Sequence, residues 1–521
     1  MDRNSLDTAR LLPESGRLSI DSIAPPQDDN ETVKTTSIWS EADRQDPERP
    51  VRAKYLILLT CGTFGLQNVW SLLLANGTPY LLSLGFSRST TALIWMAGPL
   101  TGTFIQPFIG AISDQSTSKW GKRKPFIVVG IIGAVVSMLS MAIMKLAATK
   151  IYLSFGREYV SAHGMGNIAR TLVIFWVGVL NLSLQPIQVG LRALVVDGCP
   201  SQQQSQASAW AGRFTGLGGI ATYILDDFLI RRYQDNSFEV LCIITSISLI
   251  LTNIPCLLFT SERRASLHMD VDQTFRPKAL GRRLLRTARR MPDNILNICN
   301  VQFASWLGWF PFLYYNTTYI SALGEQNMRV EQNHPNSSGV QAYLLFAIVA
   351  FFCSVVLPLI KPSAITHSSA KTSSLLIDST RYSFRPSLTH LWLLSQILFA
   401  VCMFSTIFIN DTAGGIFMVA SAGVSWSLTQ WVPLAMMSGE IASMREAARS
   451  EEVGDGEDET GTLMSIFNVA ISAPQILAGA LCSGLFWVIG ESDPVDTLGW
   501  ALRMGGLAAV VSALLMLGLK R

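Results

Sequence analysis

Asn181, Gln185, Gln188 and Arg192 follow one another at spacings of four, three and four residues. At 100° per residue they fall on one helical stripe about 60° wide. Three amides and a guanidinium on one stripe supply hydrogen-bond donors and acceptors of the kind that match sugar hydroxyls. The surrounding stretch is apolar, and polar side chains in hydrocarbon are costly unless they meet a cavity or a partner helix. The stripe therefore reads as the lining of a wet cavity or as hydrogen bonding between helices. Weaker versions recur. Asn468, Ser472 and Gln475 share a face, Gln67, Asn68, Trp70 and Asn76 follow in the first apolar stretch, and Gln302, Trp306 and Trp309 are followed by Asn316. Aromatic faces pack on the C–H faces of pyranose rings, so Trp beside Gln and Asn suits a sugar. The competing reading is an interfacial aromatic belt.

Other chemistries find no support in the sequence. The five histidines (His163, His268, His334, His367, His390) stand in loops or at a span end, none in metal-ligand spacing. The eight cysteines lie singly, without a CxxC pair, as small apolar filler does. No Walker loop is present. Neither an enzyme, a cofactor, a metal nor a nucleic-acid partner is expected. Asp114 at the end of Gly110-Ala-Ile-Ser-Asp114, followed by Gly121-Lys122-Arg123-Lys124, could latch helices together or anchor topology.

The elements that must position these groups are transmembrane helices. Only 15% of the 521 residues are charged and 49% are hydrophobic, against about 25% charged in soluble domains, and mean hydropathy is +0.34. Twelve apolar stretches are predicted to span, at 53–75, 92–112, 125–146, 168–191, 207–228, 238–259, 295–320, 341–361, 388–409, 414–437, 461–489 and 499–519. Residues 1–52 form a polar tail without an apolar leader, expected to be disordered and cytoplasmic. Residues 53–259 are expected to form one six-helix bundle, 260–294 a basic cytoplasmic loop, and 295–521 a second bundle, with the site between them. That symmetry rests on span count, since no sequence repeat relates the halves. Lys119, Lys122, Arg123 and Lys124 after the second span, and nine arginines and lysines between 263 and 290, place both loops and both termini inside. Loops 76–91, 322–340 and 490–498 are then outer, and one carries the sequon Asn336-Ser337-Ser338.

At this point the chain resembles the sucrose/proton symporters of plants and their fungal relatives, a branch of the major facilitator superfamily. The resemblance runs in order through Gln67-Asn-Val-Trp70 to Thr78-Pro79-Tyr80, Leu93-Ile-Trp95-Met-Ala-Gly98-Pro99 to Pro125-Phe126-Ile127, Arg192-Ala193-Leu194 with Asp197, Trp306 to Leu313, and Asn468 with Pro474-Gln475. It implies an all-α fold of twelve helices in two bundles, with the first, fourth, seventh and tenth lining the cavity. It also implies a transport arginine, here Arg192, and an α-glucoside cargo such as sucrose or maltose cotransported with a proton. The candidate substrate site is then Gln67, Trp70, Asn181, Gln185, Gln188, Arg192, Trp306, Trp309, Asn468 and Gln475, with Asp114, Arg123 and Asp197 in gating or coupling.

The chain departs from the family pattern where an acid is common on the fourth helix, since that position is Asn181. Leu73 replaces Glu or Gln in the first span, and Arg88 stands where plant members carry a histidine. An amide takes up no proton near neutral pH. Asp226, Asp227 and Glu440 are set aside as substitutes because of their position near span ends. The expected function is an α-glucoside carrier in the plasma membrane, with the vacuolar membrane as the other location. Proton symport, a proton-independent facilitator and a non-transporting sugar sensor all stay open. A sensor could signal through the tail or the acidic run Glu451–Glu459.

Overall fold

The computed structural model describes residues 51–114, 116, 118–144, 150, 162–199, 203–233, 236–260, 262, 281–282, 286–327, 335–357, 388–450, 460–490 and 494–518. The N-terminal tail, most of the central loop and the acidic run lie outside them. The fold is all-α. Among the described residues its twelve long helices are α1 (Ala53–Ser83), α2 (Arg88–Ser113), α3 (Lys124–Ala142), α4 (Ala162–Gly198), α5 (Gln204–Tyr233), α6 (Ser237–Phe259), α7 (Asp293–Asn327), α8 (Pro335–Val356), α9 (Leu388–Ser405), α10 (Thr412–Ser450), α11 (Thr460–Ile489) and α12 (Pro494–Leu517). They form two bundles of six.

Among the described residues, nine helices are long and apolar enough to cross a membrane. The other three, α5, α7 and α10, have 30, 35 and 39 residues and are long enough, but they carry more polar side chains. Their polar groups are largely turned inward: Asp226, Gln302, Asn316, Ser425 and Thr429 are all buried. In a bilayer a polar helix is stable where neighbouring helices cover it.

Several helices outrun the apolar windows that predicted them. Helix α1 continues through Asn76, Gly77 and Pro79 to Ser83, so residues 76–83 are helix rather than outer loop. Helix α7 reaches Asn327 and α10 reaches Ser450, placing Glu440 inside a helix. The sequon at Asn336 lies in the first turn of α8, not in a loop. Hydropathy marks where lipid ends, whereas backbone hydrogen bonding continues into the aqueous layer.

Bilayer helices associate by close packing, since lipid tails are as apolar as leucine. The α7–α12 crossing shows this. A Cβ on Gly308 would lie 2.6 Å from the Gly505 carbonyl oxygen, and one on Gly505 would lie 2.7 Å from that of Gly308.

The buried apolar residues fall into two clusters with different reach. The larger runs through the first bundle and continues into the second through Phe310, Tyr314, Tyr343, Phe346, Ala478 and Phe486. The smaller belongs to the second bundle alone and gathers Ile295, Ile298, Trp392, Val432, Leu463, Phe467 and Met516. Its residues lie toward the basic end, where the loops after α2 and α6 emerge. The bundles thus share one core at the far end and separate toward the basic end.

Candidate binding site between the bundles

Helix α4 supplies the centre of the site. Asn181 and Gln185 are 1% and 3% exposed, Gln188 is half-buried and Arg192 is exposed. Access along the stripe therefore grows toward the basic end, where the bundles part. Arg192 has no hydrogen-bond partner among the described residues.

The partner of the stripe is α2. Its regular turns are broken by a π-turn at Thr101–Ile105, a distortion frequent at functional sites. Thr101 Oγ1 accepts from Gln185 Nε2 at 3.1 Å and donates to the carbonyls of Ala97 and Gly98 at 2.9 and 2.8 Å. Gln185 Nε2 also donates to the Asn181 carbonyl at 3.1 Å, and Asn181 Nδ2 to that of Val177 at 2.9 Å. One turn up, Gly98 lets the Asn181 side chain approach, because a Cβ there would lie 2.8 Å from Asn181 Oδ1. One turn along α2, Gly102 faces Ser472 of α11, whose Oγ would be 3.2 Å from a Cβ on that glycine. The α4 stripe and the α11 face are brought together across the π-turn. On α11, Gln475 donates to the Ile471 carbonyl at 3.0 Å, and Asn468 is half-buried. Thr101 and Gly102 escaped the sequence reading, and Gly98 entered it only within a motif of the resemblance, because a single hydroxyl or a glycine in an apolar helix carries no signal of its own.

The other candidates take different places. Gln67 donates to Ser71 Oγ at 3.3 Å and lies against Gly218 and Gly219 of α5, with Trp70 half-buried nearby on α1. Asn68 bonds Ser248 of α6 at 2.7 Å, a contact between helices of one bundle. Trp306 is half-buried and meets Trp426 edge-on at 5.7 Å. Trp309 is 0% exposed. It stacks on Phe399 at 4.0 Å and meets Trp426 at 4.9 Å. In this conformation Trp309 belongs to the α7–α9–α10 packing, with Phe399 on one face and Phe312 and Trp426 edge-on to it.

At the basic end, Arg123 is buried. Its Nε lies 2.9 Å from Asp197 Oδ2, and its NH1 donates to Ser113 Oγ at 2.9 Å. These bonds tie the α2–α3 turn to the end of α4. Asp114 closes the helical run one residue past the Ser113 bound of α2, and its side chain falls outside those described. Glu262, just past α6, completes the arrangement. Its carboxylate accepts from the backbone N–H of Lys122, of Arg123 at 3.1 Å and of Lys124 at 3.1 Å. A carboxylate on the free N–H groups of a helix start is favoured by charge and by hydrogen bonding. Gly121 adopts φ +113°, and a Cβ there would lie 2.6 Å from that carboxylate. Glu262 was invisible in the sequence because its partners are backbone groups 138 to 140 residues away.

At the far end the seam is sealed. Thr78 Oγ1 accepts from Trp95 Nε1 at 3.0 Å and donates to the Tyr314 carbonyl at 2.7 Å, while Trp95 stacks on Tyr314 at 5.0 Å. Ser89 meets Ser483 at 2.9 Å, Gln341 Nε2 donates to Asp227 Oδ1 at 3.2 Å, and Tyr223 stacks on Tyr343 at 5.2 Å. The site is a polar cleft of amides, hydroxyls and one cation, shut at one end and open toward the other. Among the described residues no cluster could hold a metal ion.

Comparison with known proteins gives the fold and the cleft a context. The sequence profile of the Major Facilitator Superfamily matches residues 58–479. The general alpha-glucoside permease of Schizosaccharomyces pombe is 29% identical, over 93% of this chain and 98% of its own. The sucrose transport protein SUC4 of Arabidopsis thaliana is 24% identical, over 89% of this chain and 91% of its own. Among solved structures, the partially occluded, inward-open xylose transporter XylE of E. coli superposes with a TM-score of 0.59 at 10% identity, covering 90% of this chain and 98% of its own. The nucleoside transporter NupG gives 0.60 at 9% identity, covering 90% of this chain and all of its own. At such identities these structures speak for the fold alone.

Proposed function

Because this chain belongs to the Major Facilitator Superfamily, and is therefore a membrane transporter and not an enzyme, we propose that it carries sucrose or a related α-glucoside across the membrane by alternating access, coupled to a proton. The observation that carries this reading is the α4 stripe. Its access rises from buried Asn181 to exposed Arg192 along a cleft between two bundles. Neutral amides and hydroxyls at Asn181, Gln185, Gln188, Thr101 and Ser472 match a neutral polyol, which offers donors and acceptors but no charge. The alpha-glucoside permease and sucrose transporter among the relatives support the choice of sugar.

With the loops after α2 and α6 on the cytoplasmic side, both termini are cytoplasmic and the far end faces outward. The conformation described is then closed to the outside and open inward. Transport needs the reverse state, in which the far-end contacts part and the two cores close at the basic end. The Arg123–Asp197 pair and Glu262 hold the α2–α3 turn, α4 and α6 as one rigid cytoplasmic end, so that the first bundle rocks as a unit. The division into a tail at 1–52, bundles at 53–259 and 295–521 and a basic connector at 260–294 belongs to the same proposal, as does the plasma membrane as its place.

Uptake of labelled sucrose and maltose by yeast lacking its own carriers tests this reading. Saturable uptake of at least one α-glucoside is the expected result. No uptake of any glycoside, with the protein demonstrated at the cell surface, overturns it.

A further inference from the structure

The far-end seam holds a carboxyl group that the cleft does not explain. Asp226 of α5 is 1% exposed. Its Oδ2 accepts from Asn76 Nδ2 of α1 at 2.6 Å, and its Oδ1 is buried without any partner. One neutral amide is little compensation for a carboxylate removed from water, whose burial costs several kcal/mol unless a cation answers it.

Among the described residues no cation does so. On its own helix the titratable neighbours are Asp227 and Tyr223. Asp227 already holds Arg231 at 3.0 Å. From α8, Gln341 reaches Asp227 and the Tyr343 ring covers Tyr223. The charged groups of the other packed helices are engaged elsewhere: Glu239 of α6 beside Tyr80 and Cys242, and Arg170 of α4 on the Leu84 carbonyl at 3.0 Å. A neutral, protonated Asp226 fits this site and an anion does not.

The placement makes that proton conditional on conformation. The contacts Asp227–Gln341 and Tyr223–Tyr343 join α5 to α8, hence one bundle to the other, and flank Asp226 within one turn. Opening the far end separates these contacts and admits water to Asp226. Closing it removes that water. A group whose proton affinity differs between two conformations shifts their balance with pH, and each conformation shifts the group in return.

We propose that Asp226 is the proton-binding site of the transport cycle. It takes one proton from the outer side in the open seam and keeps it as the seam closes. It yields that proton to the inner side along the polar side chains of Tyr223, Ser71 and Gln67, which lead down α1 toward the cleft. Loss of the proton leaves an unanswered anion in a dry seam, which drives the seam open again. One proton is bound and one released per cycle, and no covalent bond beyond the O–H changes. The position near a span end, which argued against Asp226 in the sequence, is what places it at the gate.

The assignment rests on the transport reading for its coupling role, and the test separates the two. In whole cells, Asp226→Asn should abolish sugar-induced alkalinisation and accumulation against a gradient, while keeping exchange of labelled for unlabelled sugar. Asp226→Glu, which keeps a carboxyl group, should retain coupling. Independently of sugar, Gln341→Cys should react with a membrane-impermeant thiol reagent at a rate that, after division by the thiolate fraction, still rises with external pH, by up to about tenfold per unit for a single proton. With Asp226→Asn added, the labelling rate should follow the thiolate fraction alone, with no further dependence on pH. Retained accumulation and proton movement in Asp226→Asn, or an unchanged pH profile of labelling, would overturn the assignment. If the parent protein moves no glucoside, the transport reading fails, and the labelling profile still decides the role of Asp226.

Discussion

The hydrogen bond from Gln185 to Thr101 joins the α4 stripe to the π-turn of α2, so this pair sets the shape of the cleft. A net hydrogen bond is worth about 1 kcal/mol, or about fivefold in affinity. Thr101→Val and Gln185→Leu should each raise the KM for sugar about fivefold, and the double variant should be little worse than either alone, well short of the product, since both remove one shared bond. Uptake kinetics at equal surface expression check this. Gly98→Ala introduces a methyl 2.8 Å from Asn181 Oδ1, and should lower transport more than Thr101→Val. Arg192→Lys keeps the charge but loses the planar fork, so most sugar uptake should disappear while the protein still reaches the membrane. The stripe was legible in the sequence because four polar side chains on one face of an apolar helix are improbable as filler. Trp309 illustrates the converse. Its spacing from Trp306 placed both on one helix face, but spacing carries no word of Phe399 and Trp426, which cover it.

At the scale of elements, the α2–α3 turn depends on a residue distant in sequence. Glu262→Ala removes the acceptor for three backbone N–H groups and leaves the α3 start to water, whereas Glu262→Gln keeps an acceptor and loses the charge. Charge-assisted bonds contribute about 1.5–3 kcal/mol, so Glu262→Ala should impair transport clearly more than Glu262→Gln, in flux assays at matched expression. Packing sets the second expectation. Gly505→Val places a Cβ 2.7 Å from the Gly308 carbonyl oxygen and forces α12 off α7. The purified protein should melt several degrees lower, by an overpacking cost of about 1–3 kcal/mol. The existence and order of the helices were readable from hydropathy, because the bilayer demands long apolar runs. Their ends were not, since α1, α7 and α10 continue past the apolar window into water. The π-turn was equally hidden, as Thr101–Ile105 differs from regular helix in backbone geometry and not in composition.

At the scale of the molecule, one conformation of a two-state machine is on view. A core common to both bundles at the far end and a separate core at the basic end describe a closed gate opposite an open one. Two bundles follow from the loop charges and the span count. Which end is shut is a property of contacts between residues hundreds of positions apart, such as Ser89 with Ser483, and sequence periodicity does not hold it. Those two hydroxyls lie 2.9 Å apart, so the pair Ser89→Cys and Ser483→Cys should form a disulfide under oxidation. Uptake should then stop and recover on reduction, because a locked far end halts the cycle at one state. The central claim, sugar carried by this chain with a proton, is tested most directly by the purified protein in lipid vesicles. With an alkaline interior imposed, labelled sucrose or maltose should rise transiently above its equilibrium level inside, and the rise should vanish when the pH gradient is collapsed. Vesicles holding folded protein that admit no more of either sugar than protein-free vesicles would contradict the account.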